Sequence, residues 1–134
     1  MDFPKFQQLV TNRYGFATME NPTATGEYFS DSCGDMYTFY LKIADEKIED
    51  ISYFTTGCGF GVATCAILTE IAKGKTIEQA EQITPADIEA SLGGFPERKK
   101  DYPMRVLEAL RVAIANYRKS ERPASAAESF AKLS

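Results

Sequence analysis

The chain has 134 residues, 44% hydrophobic and 25% charged, with a net charge of −4 and no histidine. That length suits one domain with a real hydrophobic core, and the balance reads as a soluble globular protein. The acidic balance gives no reason to expect nucleic acid. Without histidine, Ser-His-Asp and Cys-His catalysis and His-containing zinc or haem sites are excluded.

No apolar run approaches the roughly 20 residues that cross a bilayer, so no membrane partner is expected. Met1-Asp2-Phe3-Pro4-Lys5-Phe6 lacks the basic-then-apolar order of a signal peptide, which points to a cytoplasmic protein. In such a reducing compartment three cysteines argue against a disulfide framework and leave metal or redox chemistry open. Any metal must be held by Cys, Asp, Glu, Tyr or backbone oxygen.

In chain order, Lys5 to Thr11 predicts a short helix with Phe6, Leu9 and Val10 on one side and Pro4 near its start. Tyr14 to Gly26 reads as loop, punctuated by Gly15, Asn21-Pro22 and Gly26. Glu27-Tyr28-Phe29 is a weak strand, and Asp31-Ser32-Cys33-Gly34-Asp35 a turn. Met36 to Ile43 alternates as a strand, with Tyr37, Phe39, Leu41 and Ile43 on one face and Thr38 and Lys42 on the other. Ala44 to Lys47 is a hairpin loop, and Ile48 to Thr55 returns with Ile51 and Tyr53 on one face.

Gly57-Cys58-Gly59-Phe60-Gly61 is the stretch around which the rest is organised. It ends a strand and opens a helix, a position that exposes a thiol to the helix dipole and to free N–H groups and so favours thiolate. The bland reading is a tight turn with an inert cysteine. The hairpin allows two registers. In one, Ala44 faces Lys47, Lys42 faces Glu49, and Cys33 falls opposite Cys58. In the other, one residue longer, Leu41 faces Ile51 and Phe39 faces Tyr53, which matches the apolar faces better. A one-residue slip is beyond what the pattern decides, and either register brings both cysteines to the same end of one strand pair. Directly opposed residues have Cβ atoms about 4.5–5.5 Å apart, close enough for two thiolates to share a metal ion or small cluster.

Phe60 to Lys73 is helical, with Val62, Ala63, Ala66, Ile67 and Ile71 at helical spacing and Gly74 as its stop. Cys65 lies about two turns, roughly 10 Å, beyond Cys58 and reads as a small core residue. Thr76 with Gln79 forms a capping box, and Thr84-Pro85-Ala86-Asp87 opens a helix that stops at Gly93-Gly94. Phe95 to Lys100 reads as an extended, solvated basic loop. Asp101-Tyr102-Pro103 caps a last long helix running to about Lys119, with Val106, Leu107, Leu110, Ile114 and Tyr117 on its apolar face. The order, a small meander followed by helices, is α+β with helices packed on one sheet face. Residues 1–119 read as one domain and 120–134 as a mobile tail.

From Asn21-Pro22 to about Lys119 the chain resembles the IscU/NifU-type iron–sulfur cluster assembly scaffolds. The resemblance is carried by Cys33-Gly34-Asp35 before a strand, by Gly57-Cys58-Gly59 before a helix containing Leu68-Thr69-Glu70, and by Lys73-Gly74-Lys75-Thr76. It implies a three-stranded antiparallel sheet covered by helices and assembly of a labile [2Fe–2S] cluster for transfer to apo-proteins. It also implies sulfur supplied by a cysteine desulfurase. Metal ligands then fall on Cys33, Asp35 and Cys58. Where the family has a His-Cys pair opening the last helix this chain has Asp101-Tyr102, so a third thiolate is missing and oxygen donors stand in its place. The family's chaperone-binding stretch keeps only Pro96 and Lys99.

Two thiolates with Asp35, Asp101 and Tyr102 would hold a cluster less tightly than four sulfurs. Other completions are a homodimer in which each protomer donates Cys33 and Cys58, recruitment of Cys65 by unwinding of the helix start, or zinc in a two-thiolate, two-carboxylate site. The alternative function is a degenerate relative that keeps the fold as a partner-binding or regulatory module. A third is a sulfur carrier, with a persulfide on Cys58. An enzyme is not expected, since no histidine base and no phosphate-cradling loop is present.

Overall fold

The computed structural model describes residues 1–30, 34–57 and 59–121. The elements run α1 (Phe3–Asn12), β1 (Ala24–Ser30), β2 (Asp35–Ala44), β3 (Lys47–Thr55), α2 (Gly59–Ala72), α3 (Ile77–Glu81), α4 (Pro85–Ser91), a 3₁₀ turn (Glu97–Lys99) and α5 (Tyr102–Glu121). The sheet is an antiparallel meander in the order β1-β2-β3, and the α+β class follows as expected.

Both hairpin registers are present, one at each end of the ribbon. Asp45 and Glu46 both take positive φ, the geometry of a two-residue turn matched to strand twist, and Ala44 faces Lys47. A bulge then shifts the pairing between Lys42 and Ile43, so that Lys42 faces Asp50 rather than Glu49. From there the longer register holds: Leu41 faces Ile51, Phe39 faces Tyr53 and Tyr37 faces Thr55. The turn chemistry sets the first pairing and the buried faces set the second, and the bulge reconciles them. The expected opposition of Cys33 and Cys58 lies outside the described residues.

Tyr37, Phe39, Leu41, Ile51 and Tyr53 project from one face into the core. There α5 packs across β1 and β2, while α2 packs on β3. The apolar stripe expected on α5 is buried as Val106, Leu107, Leu110, Ile114 and Tyr117. α2 differs from a one-sided helix, because nearly every residue from Gly61 to Thr69 is buried. Contacts from α1, α4 and α5 enclose it on the sides away from the sheet.

Three sequence expectations need correction. The first strand starts at Ala24, not at Glu27, and Gly26 is a strand residue rather than a turn signal. Its lack of a side chain admits α5: a Cβ there would stand 2.6 Å from the carbonyl oxygen of Ala109 and would collide with the backbone of Ala113. The stretch after Phe95 is not extended throughout, since Lys99 N–H donates to the carbonyl of Pro96 at 2.8 Å and closes a 3₁₀ turn. The last helix continues to Glu121, and residues 122–134, read as tail, lie outside the described residues.

The helix ends follow their local chemistry. Asp2 caps α1 by accepting from Lys5 N–H at 3.1 Å, and Thr76 and Thr84 open α3 and α4 with reciprocal capping boxes. The outer edge of β3 is covered rather than left open. Gly15 and Ala17 bond Tyr53 at one end, each at 2.9 Å, and Gly74 and Lys75 bond Ile48 at the other, each at 2.8 Å.

Candidate metal centre

One end of the sheet and the first turns of α2 and α5 come together around Tyr37 and Gly61. The strand ends are pinned by threonines. Thr55 Oγ1 donates to the carbonyl of Met36 at 2.8 Å and accepts from Gly57 N–H at 2.9 Å. Thr56 Oγ1 accepts from Met36 N–H at 3.0 Å. This pairing sets Asp35, the first residue of β2, beside the segment that leaves β3. A Cβ built on Gly57 would stand 3.4 Å from Oδ2 of Asp35.

Asp35 also faces Tyr37, whose hydroxyl lies 3.4 Å from Oδ2 and donates a long hydrogen bond. Residues i and i+2 of a strand share a face, which puts the two side chains together. Tyr37 in turn reaches the start of α2. A Cβ at Gly61 would stand 3.3 Å from the Tyr37 ring and 3.8 Å from the Tyr102 ring. Gly61 is therefore the gap through which the sheet, α2 and α5 come together.

Tyr102 is buried, with 6% of its surface exposed. Its ring lies 6.3 Å from that of Phe60, and Phe60 is packed between Phe6 at 4.6 Å and Phe95 at 6.2 Å. Two cations sit over Tyr102: Lys99 Nζ at 5.4 Å from the ring centroid and the Arg105 guanidinium at 5.8 Å. Lys99 also lies 5.5 Å from the Phe60 centroid. Asp101 is arranged differently. Its side chain is 71% exposed and pairs with Arg105 at 3.8 Å, one helical turn along.

Of the residues singled out from sequence, Asp35 and Tyr102 are linked through Tyr37 and Gly61. Asp101, next to Tyr102 in the chain, is turned to solvent. Cys33 and Cys58 lie outside the described residues, but Gly34, Gly57 and Gly59, to which they are bonded, are described. Cys65 is fully buried in α2, and burial pushes its thiol pKa well up, so it is a neutral core residue as expected. Pro96 is exposed at the turn, whereas Lys99 is half-covered by the two rings. Sequence reasoning missed Tyr37, Thr55, Phe60 and Arg105. Only Tyr37, two residues beyond Asp35, and Arg105, four beyond Asp101, carried a spacing signal.

These observations define an α+β domain in which the strand end bearing Asp35, the start of α2 at Gly61 and the buried ring of Tyr102 come together. The NifU-like N terminal domain family matches residues 9–124, and the chain belongs to that family. The iron-sulfur cluster assembly scaffold protein IscU 1 of Archaeoglobus fulgidus is 41% identical over 99 residues, 74% of this chain and 65% of that relative. This chain thus spans just under two thirds of that relative's length. The Aquifex aeolicus IscU scaffold is 37% identical over 108 residues, 79% of this chain and 69% of the relative. The crystal structure of the N-terminal part of a NifU-like protein from Brucella abortus superposes with a TM-score of 0.65. It covers 86% of this chain and 92% of that one at 19% identity, which bears on the fold alone.

Proposed function

We propose that the chain is an iron–sulfur cluster scaffold or carrier, holding a labile [2Fe–2S] cluster as cargo and passing it to apo-proteins. The observation that carries this reading is the approach of Asp35 to Gly57, the neighbour of Cys58 in the chain, at the end of the sheet. Cys33 is one peptide bond from Gly34, and Cys58 is bonded to Gly57. The placement of both thiols themselves lies outside the described residues. The names of the relatives support the same cargo.

In this reading Cys33 and Cys58 supply thiolates, Asp35 supplies a carboxylate and Tyr102 stands where the family's third cysteine falls. Tyr102 is preferred to Asp101, because Asp101 is turned to solvent and engaged with Arg105. Oxygen donors are harder than sulfur and hold an iron–sulfur cluster less tightly, which suits delivery. Sulfur then comes from a cysteine desulfurase, and the recipients are apo iron–sulfur proteins. Zinc is a second reading, favoured by the carboxylate beside the Gly-Cys-Gly segment, since thiolate and carboxylate together suit that ion.

The test is anaerobic reconstitution of the full chain with ferrous iron and sulfide. A sulfide-to-iron charge-transfer spectrum that disappears in Cys33→Ser and in Cys58→Ser is expected. A wild type that retains no iron sinks the cluster reading. Metal and acid-labile sulfide content of protein purified without air separates cluster from zinc.

A further inference from the structure

We propose that Tyr37 is a positioning residue for Asp35: its buried hydroxyl orients the carboxylate at the start of β2 toward the metal. The inference rests on the assignment of Asp35 as a ligand to the cargo.

The two side chains differ in how firmly they are held. Tyr37 lies on the middle strand of the sheet and is fully buried. It faces Tyr28 on β1 and Thr55 on β3, and its ring abuts Gly61 at the start of α2. Asp35 is the first residue of β2 and is only partly buried. Among the described residues no cation lies within ion-pair distance of its carboxylate. The Tyr37 hydroxyl stands 3.4 Å from its Oδ2. That is long for a hydrogen bond between oxygens, which sets a modest size for the effect.

The surrounding packing fixes where the hydroxyl sits. Tyr37, Phe39 and Leu41 share the inward face of β2 and none is exposed, yet only the first carries a polar atom. A hydroxyl in a packed interior is unfavourable unless it finds a partner, and this one lies at the end of the core where a carboxylate is in reach. A Cβ on Gly61 would stand 3.6 Å from the phenol oxygen and 3.3 Å from the ring, so α2 leaves the phenol little freedom. Thr55 Oγ1, held by Met36 and Gly57, brackets the carboxylate from the other side. A Cβ on Gly57 would stand 3.1 Å from that oxygen and 3.4 Å from Asp35 Oδ2. A donor on Oδ2 restricts rotation of the Asp35 side chain, so less freedom is lost when the carboxylate takes a metal.

The full-length wild type, Tyr37→Phe, Asp35→Ala and the double variant are titrated anaerobically with ferrous iron against a chromogenic chelator. Tyr37→Phe removes one oxygen and keeps the ring, and circular dichroism and melting of the metal-free chains check that folding is unchanged. Tyr37→Phe is expected to weaken iron binding roughly two- to tenfold, and Asp35→Ala to weaken it at least as much. In the Asp35→Ala background Tyr37→Phe should change nothing further, because its effect passes through the missing carboxylate. A loss of the same size in both backgrounds overturns the positioning role, since a general disturbance of the core does not depend on Asp35. Equal affinity of Tyr37→Phe and wild type overturns it as well. Wild-type affinity in Asp35→Ala overturns Asp35 as a ligand and this inference with it, but leaves a site on Cys33 and Cys58 standing. A wild type that binds no iron removes the proposed function itself and the positioning role with it.

Discussion

Gly26 of β1 and Ala109 of α5 approach so closely that a Cβ on the glycine would stand 2.6 Å from the alanine's carbonyl oxygen. The obstructing atoms are backbone and have no rotamer with which to yield. Gly26→Ala must therefore lift α5 off the sheet. The expected loss is about 3 kcal/mol or more, at the upper end of overpacking costs. Urea unfolding checks this through a lowered midpoint at unchanged slope.

Gly57 tests the surroundings of Asp35 without testing the fold. It is not held at positive φ, so alanine is acceptable to the backbone. The added methyl would stand 3.1 Å from Thr55 Oγ1 and 3.4 Å from Asp35 Oδ2. Gly57→Ala should change stability by less than about 1 kcal/mol while displacing the Asp35 carboxylate. Bound iron per chain after reconstitution should fall, and undiminished loading would show that Asp35 needs no such clearance.

Cys65 should be chemically silent in the native protein. Its thiol is fully buried, and burial raises its pKa well above the ordinary range. A raised folded-state pKa contributes stability fully present below the unfolded thiol's pKa of about 8.5 and lost as pH rises toward the folded value. Alkylation of the native chain should leave Cys65 unmodified until denaturant is added, as read by mass spectrometry. Cys65→Ala should flatten the alkaline decline in stability. Prompt native labelling of Cys65 would instead favour an α2 start that opens readily.

The Glu81–Arg118 pair links α3 to the end of α5 through two hydrogen bonds of 2.9 and 2.7 Å. The Arg118 hydrogen bonds hold the Glu81 carboxyl below its usual pKa, and the same bonds raise that of Arg118. A depressed folded-state pKa gives stability that is complete above the unfolded glutamate value of about 4.3 and is lost as pH falls through the lower folded value. The pair is largely solvent-exposed, so the effect is small and screened by salt. Thermal melting between about pH 3 and 5 should show a shallower acid decline in Glu81→Gln than in wild type.

Much of the architecture was legible from neighbouring residues. Thr76 with Gln79 forms the capping box that its spacing implied, and Thr84, expected only to open a helix, forms a second with Asp87. Tyr37, Phe39 and Leu41 share the buried face that alternation required. The register resisted a single answer because two local signals disagreed. The Asp45-Glu46 turn favours one pairing and the apolar faces another, and the bulge beside Ile43 lets both hold. At the candidate site, Asp35 carried a motif, whereas Phe60 looked like any core aromatic and Lys99 like part of a solvated basic run.

Order and type of elements, their caps, the inward faces and the Cys-Gly-Asp and Gly-Cys-Gly segments were determined by the sequence itself, because each depends on residues within a few positions of one another. Only the tertiary structure decided that Gly26 is a passage for α5, that Gly57 borders Asp35, and that Lys99 lies between Phe60 and Tyr102. Those relations join chain segments far apart in sequence. They arise from how closely helices settle on the sheet, a property of packed shapes that no local spacing encodes.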